Sequence, residues 1–235
     1  MILFAGDPHG RFKPIVDAAR MLRPAGVVLL GDHDLDVPLE QALEDVPELT
    51  QVWWIPGNHD GDRDEWYDYL FGSALADRNL NGCVREIGGL RVAGLGGVFR
   101  GKVWHPGEDK PRFASREEFV SRMGRGNRWR GGLPRQHHVS IWWEDYERLA
   151  EQRADVLVCH EAPGCHRFGF GVLDELARQM GARMIVHGHH HTDYRETLSD
   201  SIQVIGVGLA GVTTDEGVIV SPGLSGAQAR RMEAP

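Results

Sequence analysis

Asn58 and His59 stand side by side on a glycine turn, just after the apolar run Val52-Trp53-Trp54-Ile55. Each can do a separate piece of chemistry. An asparagine carbonyl oxygen can bind a divalent cation, and a neighbouring histidine that does not bind it is free to donate a proton. Alone, Gly57-Asn58 is also an ordinary turn dipeptide. Four further stretches share its form, an apolar run, a sharp turn and then Asp or His. They are Asp7-Pro8-His9, Gly31-Asp32, His160 and Gly188-His189-His190-His191.

Together Asp7, His9, Asp32, Asn58, His160, His189 and His191 offer seven mixed oxygen and nitrogen donors. A tetrahedral zinc takes four. Seven suit two ions sharing one carboxylate, and Asp32 is the natural bridge because it leaves a central strand. Carboxylate, imidazole and amide oxygen suit Mn, Fe, Zn or Co, with Mn favoured, rather than metals held by thiolates. Singly, each donor has a plainer reading: Asp32 as a helix cap, Asn58 as a turn residue, His160 as a satisfied core histidine. Convergence is what argues for a site.

The elements that must bring them together follow from apolar patterning. Short apolar runs over 2–5, 27–30, 52–55, 155–159 and 184–186 read as buried strands. Apolar residues at helical spacing over 14–22, ended by Pro24-Ala25-Gly26, read as a helix. Further helices are expected over 39–43, 64–71, 142–150 and 172–180, the last closed by Gly181. Gly88-Gly89 between 83–87 and 90–95 predicts a β-hairpin. More strands are expected over 194–198, 202–207 and 218–220. The strand–helix–strand units predict parallel pairs with right-handed crossovers. In such sheets ligands gather beyond the carboxyl ends of the strands, where all five polar stretches fall.

The five stretches match a known pattern. D-x-H, G-D, G-N-H-[DE], a lone H and G-H-x-H occur here in that order, from Asp7 to His191. In this the sequence resembles the calcineurin-like metallophosphoesterase superfamily. The resemblance implies an α/β fold, a four-layer-like α/β/β/α sandwich of two mixed sheets flanked by helices. It implies that Asp7, His9 and His191 hold one metal, that Asn58, His160 and His189 hold the other, and that Asp32 bridges them. His59 would be the acid beside the leaving group, oriented by Asp60. The implied reaction is hydrolysis of a phosphodiester or small phosphomonoester by a hydroxide between the two ions. His190, at the variable position of the last block, is left out of the ligand set.

Two departures narrow the resemblance. After Gly31-Asp32 come His33-Asp34-Leu35-Asp36, without the arginine that the phosphoprotein phosphatases carry there, and Asp60 stands where they have Glu. Both favour a bacterial phosphodiesterase-like branch. His33 is expected to be a solvent-facing turn residue, His137 and His138 surface or lid residues, and Cys159 a core residue.

A single domain over 1–220 is expected, with an insertion or lid at about 99–140 and a frayed tail over 221–235. Residues 99–138 hold ten Lys or Arg against four Asp or Glu, a local +6 in a chain of net charge −8. The rest therefore carries −14, an acidity that bound metal would partly neutralise. Arg125, Arg128 and Arg130 with Trp129 form its densest cluster, a candidate grip on substrate, whereas Trp104, Trp129, Trp142 and Trp143 are expected to pack the insertion onto the body. The acidic body argues against a general nucleic-acid binder, so nucleic acid enters only as a substrate. Three cysteines without a C-x-x-C pair suggest reduced thiols and a cytoplasmic setting. The N-terminal run is too short for a signal peptide, and no apolar run approaches the ~20 residues of a membrane span. The rival functions are a catalytically silent metal-binding scaffold and a nuclease of the same family.

Overall fold

The computed structural model describes residues 1–108 and 110–224. In each parallel strand, side chains alternate between two apolar layers, as the period of two dictates. From β1 (Ile2–Ala5), Leu3 and Ala5 point to one cluster and Ile2 and Phe4 to another. Helix α1 (Lys13–Leu22) buries Ile15, Val16, Ala18 and Ala19 on the first of these and leads to β2 (Gly26–Leu29). Two single-turn helices, α2 (Leu39–Ala42) and α3 (Val46–Leu49), precede β3 (Gln51–Trp54), and α4 (Asp64–Phe71) follows it. The hairpin β4 (Cys83–Ile87) and β5 (Leu90–Leu95) opens the second half. A long segment carrying α5 (Arg116–Ser121) and α6 (Arg135–His138) reaches α7 (Trp143–Ala150). Then come β6 (Val156–Cys159), α8 (Gly171–Met180), β7 (Met184–His187), β8 (Tyr194–Thr197), β9 (Gln203–Gly206), β10 (Val212–Thr214) and β11 (Ile219–Ser221).

The strands form two mixed sheets, ordered β11-β10-β1-β2-β3 and β4-β5-β6-β7-β9-β8. Ile2, Phe4, Val28, Leu30, Trp53 and Ile55 of the first meet Val92, Val156, Val158, Val186 and Ile205 of the second in a dry middle layer. The outer face of the second sheet is covered by α7 and α8 through Trp142, Tyr146, Leu149, Leu173, Leu176 and Met180. The result is the expected helix–sheet–sheet–helix stack. β1, β2 and β3 run parallel, as do β5, β6 and β7, so their carboxyl ends define rims on which the polar turns sit.

α3, α6 and β10 were not expected. α3 and α6 are each one turn long, too short to display a period. β10 pairs antiparallel with β1, Leu3 opposite Thr214, and its sequence Val-Thr-Thr has no apolar run to announce it. The frayed tail is corrected at its start. Ser221 pairs with Val212, the Gly223 amide donates to Asp193 Oδ2 at 2.6 Å and the Leu224 amide to Leu209 O at 2.8 Å. The remainder, 225–235, lies outside the described residues.

The insertion is packed down by aromatic rings. Trp104 stands edge-on to Phe99, Trp143 and Tyr146, and Phe119 to His137 and Trp142. Arg116 binds Glu144 at 2.6 Å and Asp145 at 2.5 Å, a charge pair that ties α5 to α7. No helix among the described residues is long and apolar enough to cross a membrane.

Candidate metal centre

Each donor sits where a strand has just ended and the chain turns sharply. Asp7, His9, Asp32, His189 and His191 all have positive φ, between 33° and 69°. Such backbone costs ~1–3 kcal/mol per non-glycine residue and persists only where the surroundings impose it. The glycines of the blocks permit close approach. A Cβ on Gly57 would collide with the Asp32 carboxylate, and one on Gly31 (φ +108°) would lie 2.5 Å from His160 Nδ1.

The seven donors converge. His9, Asp32 and His191 form one cluster and Asp32, His160 and His189 another, each with its ligand atoms within 4.8 Å of one another. Asp32 belongs to both. Asn58 Oδ1 is 3.2 Å from His160 Nε2, which is 3.4 Å from Asp32 Oδ2. Asp7 joins through its carboxylate, 3.8 Å from His191 Nε2 and 3.6 Å from His160 Nδ1. Both Asp7 oxygens are buried with no hydrogen-bond partner. A carboxylate left so is costly unless a cation meets it, so the donor set fits a metal.

Neighbouring groups aim the imidazoles. His9 Nδ1 is 2.6 Å from Asp34 Oδ2, which leaves Nε2 to face Asp32 at 3.8 Å. His160 Nδ1 donates to Leu30 O at 2.8 Å, leaving Nε2 toward Asn58 and Asp32. Such outer partners set tautomer and ring angle.

Burial and charge govern proton occupancy. Burial pushes the Asp7 carboxyl up to about 7 even though His160 opposes it. Burial would lower His160, but Asp32 and Asp7 raise it to about 10. At Asp32 burial works upward and is overcome by His160 and the His59 amide, so its carboxyl lies below the usual range. Burial, with His160 nearby, lowers His189 to about 3, a neutral imidazole ready to bind.

The expected partner of His59 is corrected. Asp60 is buried and faces the other way. Its Oδ1 accepts from the His33 amide at 2.8 Å, and its Oδ2 lies 2.9 Å from His33 Nδ1 and accepts from the Gly57 amide at 2.8 Å. It clamps the Gly31-Asp32 turn to the Gly57-Asn58 turn. His33 is fully buried in that clamp, not solvent-facing as expected. His59 instead has its Nδ1 2.8 Å from Asp62 Oδ2, while its amide donates to Asp32 Oδ1 at 2.8 Å. The side chains of His59 and His191 are 44% and 42% exposed, against 2% or less for Asp7, Asp32 and His160, so the site opens to solvent on their side.

Other expectations shift as well. His137 is buried beside Ser140, and His138 packs on Tyr67 and Trp129, so neither is a free surface residue. Arg128 donates to Val120 O and Arg130 pairs with Asp68 over the Trp129 ring, so the candidate grip is largely spent on internal contacts. Cys159 is buried as expected. Three residues of the site were missed, Asp34, Asp62 and Glu161, the last with Oε2 3.8 Å from His189 Nε2. The only available signal was a carboxylate placed within three residues of a donor block.

Comparison with known proteins agrees with the motif order. A family model described as calcineurin-like phosphoesterase matches residues 1–193. An uncharacterized protein of Haemophilus influenzae is 38% identical over 217 residues, covering 92% of this chain and 95% of that one. Among solved structures, TT1561 of Thermus thermophilus is similar with a TM-score of 0.58 at 13% identity, covering 94% of this chain and 97% of that one. A 5'-nucleotidase from Candida albicans gives 0.51 at 13% identity, covering 91% of this chain and 48% of the nucleotidase. The two structural likenesses are of fold alone.

Proposed function

The chain belongs to the calcineurin-like phosphoesterase family, metal-dependent hydrolases of phosphoric esters, and from that premise we propose a two-ion enzyme acting on a phosphodiester or small phosphomonoester. Asp32 carries this reading, because its carboxylate is common to both donor clusters. Asp7, His9 and His191 would hold one ion and Asn58, His160 and His189 the other, with Asp32 serving both. Ions so held would supply neutralisation of the phosphoryl charge and a water of lowered pKa. The protein's own part is positioning and proton transfer. The bond from the His59 amide to Asp32 Oδ1 fixes the His59 ring beside the bridge. Asp62 on Nδ1 orients the ring and leaves Nε2 to protonate the leaving oxygen. The motif-bearing body and the 99–140 insertion act as one domain.

The nuclease reading loses its main support, since Arg116, Arg128, Arg130 and Arg135 are engaged within the protein. The test is a screen of the Mn-loaded protein against bis-p-nitrophenyl phosphate, p-nitrophenyl phosphate, cyclic nucleotides and a phosphopeptide. Turnover that chelation abolishes is expected. No turnover of any ester by protein carrying two equivalents of Mn would overturn the reading.

A further inference from the structure

The turn after Asp32 lacks an arginine, yet the site does not lack a guanidinium. The loop leaving β5 carries Arg100, half-buried and next to Phe99, whose amide is held by Glu161. That loop is held tightly. The Gly97 amide donates to Pro56 O at 2.6 Å, just before the Gly57-Asn58 turn, and the Phe99 amide donates to Glu161 Oε1 at 3.1 Å. The other oxygen of Glu161 faces His189. The Arg100 carbonyl accepts from the Val103 and Trp104 amides, which closes the loop behind it.

Among the described residues the Arg100 side chain has no hydrogen bond or ion pair, and its Nε is buried without a partner. The carboxylates whose charges reach it are Asp62, the partner of His59, and Glu161, the neighbour of His189. Both carboxylates border the site, Asp62 against the His59 ring and Glu161 against His189. Arg112, Arg116, Arg122, Arg130 and Arg135 of the insertion spend their charges on carboxylates of the protein itself, and among the described residues Arg100 does not. A guanidinium is suited to a phosphoryl group because its planar donors meet two oxygens at once.

We propose that Arg100 is the phosphate-binding residue of this site, and that it makes the enzyme a phosphomonoesterase by preference. This rests on the two-ion reading above. Two ions clamp two phosphoryl oxygens. A diester has only two non-bridging oxygens, which share one charge, so two ions would meet both. A monoester has a third, which needs a cation of its own, and Arg100 supplies it.

The experiment compares wild type, Arg100→Ala and Arg100→Lys, all Mn-loaded. In Arg100→Ala, kcat/KM for p-nitrophenyl phosphate is expected to fall about 10- to 150-fold, the range for one hydrogen bond to a charged group. For bis-p-nitrophenyl phosphate the fall is expected to stay within about threefold. Arg100→Lys recovers part of the monoester rate, because its charge remains but its fork does not. Metal content and melting midpoint are expected to match wild type in both variants. Equal losses on the two esters, or no loss, overturn the proposal. Calorimetric binding of inorganic phosphate decides Arg100's part without turnover: weaker binding in Arg100→Ala supports it, and unchanged affinity overturns it. A wild type that binds phosphate but turns over neither ester overturns the two-ion hydrolase reading instead.

Discussion

At the scale of single residues, the site separates groups that hold charge from groups that hold geometry. Asp32 does the first. Asp32→Asn keeps its shape and loses the shared charge, so at least one metal equivalent is expected to be lost by elemental analysis. His59→Ala is expected to keep both equivalents and to lose ~10²–10⁴-fold in turnover of alkyl esters. Loss on p-nitrophenyl esters is expected to be much smaller, since their leaving group needs no proton. Equal slowing for both kinds of ester would exclude His59 as the acid. Asp60 and Asp62 are two residues apart in sequence and do different work. Asp62→Asn is expected to repeat part of the His59→Ala kinetics with stability unchanged. Asp60→Ala unties two turns by removing buried acceptors from His33 and Gly57, so it is expected to lower the melting midpoint.

At the scale of elements, the site is a set of strand ends held at one another's distance by glycine. The β3 turn passes so close to the β2 turn that no Cβ fits at Gly57. Gly57→Ala must displace the Asp32 carboxylate, the Asp32 backbone amide and the His160 ring, all of which it would strike. Because Asp32 serves both clusters, loss of metal from both seats is expected, with helical content by circular dichroism retained. Intact stoichiometry in a folded variant would mean that the turns yield more easily than the contact implies. The elements themselves were largely legible. Runs such as Val27-Val28-Leu29-Leu30 leave no alternative to a buried strand, and the Gly88-Gly89 hairpin and the Asp64–Phe71 helix have the bounds expected. β10 was not legible because its pairing with β1 comes from more than 200 residues away and its own residues carry no run.

At the scale of the whole molecule, metal binding and proton binding compete. Metal-free, Asp7 is raised to about 7 and His160 to about 10. A raised folded-state value means stability lost as pH rises: for Asp7 from its ordinary 3.8 to about 7, for His160 from 6.5 to about 10. Asp32, held below its ordinary value, acts oppositely, and its contribution is lost only as pH falls below the usual carboxylate range. A metal must displace the protons on Asp7 and His160. Affinity is therefore expected to rise with pH, and more protons to be released on binding at about pH 6 than at about pH 8.5, as calorimetry in two buffers of different ionisation enthalpy would count. Chelation is expected to lower the melting midpoint as well as abolish turnover. At a hundredfold excess over Kd, bound metal adds ~2.7 kcal/mol, about 5–10 °C for a chain of this size.

The ordered blocks alone determined the family, the layered α/β fold and the seven candidate donors. Ligand chemistry is carried by residue type, and strand ends are marked by the residues that make them. Which carboxylate serves which histidine was decided only by folding. Asp60, not Asp62, is adjacent to His59, yet a 3₁₀ turn over His59–Gly61 aims Asp60 inward to His33 and brings Asp62 round to the His59 ring. Arg100 likewise looked like one of ten basic residues in a loop. Its lack of a partner among the described residues is a property of what lies around it in space, which spacing along a chain does not encode.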